Sequence, residues 1–144
     1  MLVDRPDLTV IEDFGHHPTA LDLTLESLRA RYPQHRLVAC FEPRSNTASR
    51  KLMQDAFQEA LKKADEVFLP PPHRAEKLGE ERFDSAGVAA AITAAGRKGF
   101  APASNDALLA ELTALVKADK SPRCVVFFSN GAFGGIIKKF AQSA

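Results

Sequence analysis

"VIEDFGHHPTAL", residues 10–21, sets a short apolar run against an acid, an aromatic, a glycine, two histidines and a proline. The abrupt change of character reads as a strand handing over to a helix. Pro18 fits the first turn of that helix, where a missing N–H leaves no intrahelical bond unmade. Leu21, Leu25 and Leu28 follow at helical spacing and predict an apolar stripe over residues 18–31. Strand, polar turn and amphipathic helix, in that order, form the repeating unit of an α/β domain with a mainly parallel sheet.

The unit recurs along the chain. Residues 9–12 form the first run and 37–41 the second strand, and the helix after it, over 47–63, buries Met53, Phe57, Ala60 and Leu61. A short strand at 67–69 stops at three prolines, and Ser85 is placed to cap a helix with the stripe Val88, Ile92 and Ala95. A weak, glycine-flanked strand at 98–101 precedes a helix capped by Ser104 or Asn105, with Leu108, Leu112 and Leu115 on its apolar side. Residues 124–128 are the most apolar run and predict a central strand; a final helix starts near Phe133. Residues 2–8 add an antiparallel edge strand. Short right-handed connections then predict a Rossmann-like, doubly wound, mainly parallel sheet of five or six strands with helices on both faces. The parallel strands are expected in the order 3-2-1-4-5.

With 144 residues, 45% of them apolar, the chain can bury a core as one domain without staples. A net charge of +1 and the lack of any Lys/Arg run give no footprint for nucleic acid. No apolar stretch reaches membrane-spanning length and no basic-then-apolar leader opens the chain, so no membrane partner is expected and the compartment expected is the cytoplasm. Cys40 and Cys124 sit inside apolar runs and read as buried free thiols.

In a sheet of this kind, ligands bind outside the carboxyl ends of the strands. Four polar loops fall there: 13–18, 42–47, 70–76 and 129–135. Asp13, His16 and His17 either cap the helix at Pro18 or form one wall of a site. Adjacent histidines diverge and find no third ligand at metal spacing, so no metal site is expected. Arg44 is followed by Ser45, Asn46 and Thr47 at a helix start, a combination suited to an anion, although a solvated arginine is the alternative. His73 and Arg74 are surface decoration or a ligand contact. The glycine-rich stretch with Ser129, Asn130 and Gly131 is a backbone nest for phosphate or carboxylate, or simply a tight turn. The chain carries no G-x-x-x-x-G-K-[ST] loop, no G-x-G-x-x-G after the first strand and no nucleophile elbow.

The turn "DFGHHPTAL", residues 13–21, resembles the start of the C-terminal domain of the Mur ligases, ATP-dependent amide-forming enzymes of bacterial peptidoglycan metabolism. "FEPRSNT" (41–47) and "FFSNGAFGGI" (127–136) are similar to motifs of the murein peptide ligase branch, and "ADEVFLPPPHRAEKL" (64–78) matches it in character. The alanine-adding branch more usually carries Gln-Pro-His-Arg-Tyr at the second motif. Phe14 stands where the wider family often has Tyr, and Ala132 where this branch usually has Gly.

The resemblance implies a three-domain enzyme: a UDP-sugar domain, a central ATPase holding the P-loop, and this Rossmann-like acceptor domain, which spans residues 1–144. The chain is then expected to be the third domain only, inactive alone and in contact with its central domain. The reaction implied joins L-Ala-γ-D-Glu-meso-diaminopimelate, the murein tripeptide, to UDP-N-acetylmuramate through an acyl phosphate, in peptidoglycan recycling. ATP and Mg²⁺ are its expected cofactors, held mostly outside this domain. Residue by residue, Asp13, His16 and His17 would face the nucleotide and the cleft. Arg44, Ser45, Asn46, Thr47, Arg74, Ser129, Asn130 and Gly131 would meet the acceptor's carboxylates or the transferring phosphate. The alternatives are the corresponding domain of a UDP-N-acetylmuramate–L-alanine ligase, a non-catalytic phosphate- or carboxylate-binding module, and a scaffold for protein contacts. The last leaves the polar loops unexplained.

Overall fold

The computed structural model describes residues 2–13, 17–42, 54–70, 85–118, 121–128 and 133–143. In chain order these form β1 (Val3–Arg5), β2 (Leu8–Asp13), α1 (Pro18–Arg31), β3 (Arg36–Phe41), α2 (Gln54–Leu61) and β4 (Glu66–Phe68). They continue with α3 (Ser85–Ala94), β5 (Lys98–Phe100), α4 (Asn105–Ala118), β6 (Arg123–Phe128), a 3₁₀ turn (Phe133–Gly135) and α5 (Ile136–Ser143).

The six strands lie in the order β1-β2-β6-β3-β4-β5. β1 pairs antiparallel with β2, and the other neighbours are parallel. The predicted antiparallel edge and the central last strand are both present. The expected order 3-2-1-4-5 is not: the last strand inserts between the first and the second. The three six-residue strands thereby sit together, with β6 buried along its whole length. The short β4 and β5 are left to the other end of the sheet.

Strand alternation divides the core in two. Leu37, Ala39, Phe41, Cys124, Val126 and Phe128 face α1, α2 and α3. Val38, Cys40, Val125 and Phe127 face α4 and α5, where Leu108, Leu112, Phe133, Ile136, Ile137 and Phe140 cover them. The chain thus steps from β2 to β5 with helices on one face and returns through α4 on the other, as right-handed crossovers require.

Several local expectations shift. Ser104 caps α4, its Oγ accepting from Ala107 N at 3.1 Å, so Asn105 is the first helical residue and not the cap. Ser85 is likewise inside α3, and its hydroxyl donates to the Pro70 carbonyl at 2.8 Å. Ala95 is exposed; Ala89 is buried instead. α3 ends in a glycine-terminated hook at Gly96 (φ 93), with Arg97 N donating to Ile92 O and Gly96 N to Thr93 O. The last helix begins at Ile136 after the 3₁₀ turn, three residues later than its apolar pattern suggests. Met53 lies outside the described residues.

Candidate functional site

The sheet register levels the carboxyl ends of its three central strands. Asp13 of β2 is paired with Phe128 of β6, and Phe128 with Phe41 of β3. With strands about 4.8 Å apart, the exits of β2 and β3 are roughly 10 Å from each other, and that of β6 lies between them. β2 and β3 lead to helices on one face, whereas β6 leads to α5 on the other. The chain therefore changes face between β6 and its two neighbours, and the carboxyl edge at such a switch is where open α/β sheets bind ligands.

Asp13 closes β2 and is partly buried; its Oδ2 accepts from Thr24 Oγ1, on α1, at 3.2 Å. The bond ties the end of β2 to a point well inside the helix. His17 occupies the N-cap position of α1, with an extended backbone (φ −121, ψ 149), an exposed side chain and no side-chain capping bond. Pro18 follows in the first turn, as expected. The capping reading of His17 is thus not met. His16, Arg44, Ser45, Asn46, Thr47, Arg74, Ser129, Asn130 and Gly131 lie outside the described residues. What is brought together is Asp13, the strand ends from which the 43–53 and 129–132 segments depart, and the start of α1.

Two further side chains belong to this edge. Glu42, directly after β3, is only 4% exposed. Its Oε2 accepts from Asn105 Nδ2 at 2.8 Å, while Asn105 Oδ1 is shielded from solvent and has no partner. Leaving a shielded acceptor unmade costs about 1–3 kcal/mol, so the amide is oriented by its donor bond to Glu42. Sequence reading missed the pair because Asn105 follows a capping serine and looked like a cap itself. Alternation along β3 carried the signal for Glu42: after Val38 and Cys40, residue 42 falls on the α4 side.

Phe133 borders the glycine-rich stretch from the other direction. It is fully buried, has a left-handed backbone (φ 52) and stands edge-on to Phe127 at 5.5 Å between ring centroids. An aromatic residue in that region is held there only by its packing.

The amino edge of the sheet is held by ion pairs. Asp65 meets Arg29 at 3.0 Å and Arg97 at 3.3 Å, and Glu66 meets Arg36 at 3.2 Å and Arg123 at 3.6 Å. Those carboxylates at the amino edge are committed to arginines.

Residues 1–131 match the family described as "Mur ligase, glutamate ligase domain". A UDP-N-acetylmuramate–L-alanine ligase of Hydrogenovibrio crunogenus is 30% identical over 142 residues, which is 99% of this chain and 30% of that protein. The crystal structure of a murein peptide ligase from Psychrobacter arcticus 273-4 superposes with a TM-score of 0.75 at 27% identity, over 98% of this chain and 28% of that one. A crystallised domain from Haemophilus ducreyi 35000HP, 28% identical, covers 96% of this chain and 92% of its own, with a TM-score of 0.59. The chain spans about 30% of the length of the curated relative that it matches from end to end. Family match and fold agree: the chain belongs to the Mur ligases, as a C-terminal domain of that family.

Proposed function

We propose that this chain is the acceptor-binding domain of an ATP-dependent, amide-forming ligase that joins L-Ala-γ-D-Glu-meso-diaminopimelate to UDP-N-acetylmuramate in peptidoglycan recycling. The observation that carries the reading is the level ending of β2, β6 and β3, which starts the three motif loops side by side. The likeness to the murein peptide ligase and the "FEPRSNT" and "SNGAFGG" stretches support the tripeptide as acceptor. The 30% identical alanine ligase supports a second reading, in which the acceptor is L-alanine.

The chemistry that ATP and Mg²⁺ supply is activation of the muramoyl carboxylate as an acyl phosphate. The chain has no G-x-x-x-x-G-K-[ST] loop to cradle a triphosphate, so the phosphates and the metal would be held mainly by a central domain beyond residues 1–144. On this reading Asp13, His16 and His17 line the wall that meets the nucleotide when the domains close. Arg44, Ser45, Asn46 and Thr47, with Arg74, hold a carboxylate of the acceptor or the transferring phosphate. Ser129, Asn130 and Gly131 hold the remaining carboxylates through backbone and side-chain donors. The attacking amine is thereby aligned, and closure keeps water from the acyl phosphate. The protein would work in the cytoplasm, where its nucleotide substrates are.

The test is an amide-NMR titration of the 144-residue chain with the tripeptide, with L-alanine and with inorganic phosphate. Tripeptide-specific shifts at residues 44–47 and 129–135 are expected. Equal response to L-alanine would favour the alanine ligase, and response to phosphate alone the non-catalytic module. Silence in this chain but a response in the protein carrying the central domain would mean that the acceptor site needs both domains.

A further inference from the structure

We propose that Thr24 is a positioning residue for the nucleotide, acting through Asp13. The inference rests on the reading of Asp13 as part of the wall that meets the nucleotide, and it adds a residue from inside α1.

Three observations carry it. Asp13, Phe128 and Phe41 form one row across the carboxyl end of the sheet. Both phenylalanines are buried in the layer beneath α1, α2 and α3, and alternation after Ile11, which packs on that layer, puts Asp13 on the same side. The row thus holds a carboxylate where its neighbours hold apolar rings, and a carboxylate partly withdrawn from water needs polar partners. Thr24 supplies one, since its hydroxyl carries a single proton and donates it to Asp13 Oδ2 at 3.2 Å. A helical threonine can instead turn its hydroxyl back to the carbonyl four residues earlier, as Thr93 does to Ala89 O at 3.0 Å. Thr24 is itself held in place: β-branching restricts its χ1, and the buried Leu21 and Leu25 anchor α1 on either side of it. Asp13 is thereby referenced to two rigid elements, its backbone to β6 through the ladder and its carboxylate to α1 through the hydroxyl. Without that hydroxyl the carboxylate loses the contact that sets its angle against the helix.

The experiment compares wild type with Thr24→Val, Thr24→Ser, Asp13→Ala and the Thr24→Val/Asp13→Ala double variant. Steady-state kinetics are measured on the protein carrying the central domain, with ATP varied and the other substrates saturating. Valine keeps the shape of threonine without its hydroxyl; serine keeps the hydroxyl. Thr24→Val should raise the KM for ATP about tenfold, the weight of one hydrogen bond, with kcat within about twofold of wild type. Thr24→Ser should bring KM back to within about threefold of wild type. In the Asp13→Ala background Thr24→Val should change KM by less than about twofold, because the hydroxyl then has no carboxylate to orient. In the 144-residue chain, the carbon-13 shift of the Asp13 carboxyl should move in Thr24→Val and stay near its wild-type value in Thr24→Ser. The loss of a merely structural threonine would act equally with and without Asp13. A KM unchanged by Thr24→Val, or raised equally in both backgrounds, would overturn the proposal. If Asp13→Ala itself leaves the KM for ATP unchanged, the nucleotide reading of Asp13 is what fails, and the carboxyl shift still decides whether Thr24 orients it.

Discussion

Arg123 Nε lies 3.6 Å from Glu66 Oε1, and both side chains are at least 97% buried at the amino edge of the sheet. Arg36 reaches the same oxygen from its half-exposed side at 3.2 Å. Removing one partner of a buried pair strands the other charge, at a cost of about 3–5 kcal/mol. Glu66→Ala should therefore lower the urea midpoint severely. Replacing Glu66 and Arg123 together by Leu and Met should cost far less than the single change. A single variant as stable as the double would show that the pair does not matter to folding.

Gly99 is the small residue that lets β5 pack on α3. A Cβ there would collide with the backbone of Ala89, and Gly99 N donates to Thr93 Oγ1 at 3.1 Å, whose hydroxyl donates on to Ala89 O. Overpacking of this kind costs about 1–3 kcal/mol. Gly99→Ala should lower Tm by about 3–10 °C, measured by calorimetry. An unchanged Tm would mean that α3 moves away freely.

The same two places show what the sequence could reveal and what it could not. α1 was legible to the residue, because Pro18 starts it and Leu21, Leu25 and Leu28 are its buried stripe. The strands began one residue early at Arg36, Glu66 and Arg123, since charged residues read as solvent-exposed until their partners on neighbouring strands are known. The strand pattern at 98–101 is weak because of Gly99, whose lack of a side chain is a packing requirement of another element. Strand order was misjudged because local pattern gives an element's type but not its neighbours. Of the candidate site, Asp13 was read at the correct edge, whereas the Glu42–Asn105 pair depends on a contact 63 residues apart that no local spacing encodes.

Cys124 and Cys40 are buried in opposite layers of the core. Burial pushes the Cys124 thiol from its usual 9.0 up to about 11, with the charge of Arg31 pulling the other way, and burial raises Cys40 as well. A raised folded value means that the unfolded chain loses these protons first. The stabilisation is complete below about pH 9 and fades as pH rises from 9 toward 11. Both thiols should react with Ellman's reagent only on unfolding, and Cys124→Ala should flatten the alkaline loss of stability. Fast labelling of the native protein would contradict the burial.

Phe133 offers a test in which two costs oppose each other. Its side chain fills the α5 layer against Phe127, so Phe133→Ala should cost about 3–5 kcal/mol through the cavity left behind. Alanine keeps a Cβ in the left-handed region, where an L-residue carries roughly 1–2 kcal/mol of strain. Glycine removes that strain and adds about 0.5–1 kcal/mol of backbone entropy to the unfolded chain. At ordinary backbone angles glycine is the more damaging replacement. At φ 52 the order should invert, with Phe133→Gly as stable as Phe133→Ala or up to about 1.5 kcal/mol better. Chemical denaturation of the two variants side by side measures the difference. If glycine proves clearly worse, position 133 is not left-handed in solution, and the 3₁₀ turn that leads into α5 must differ from the one described.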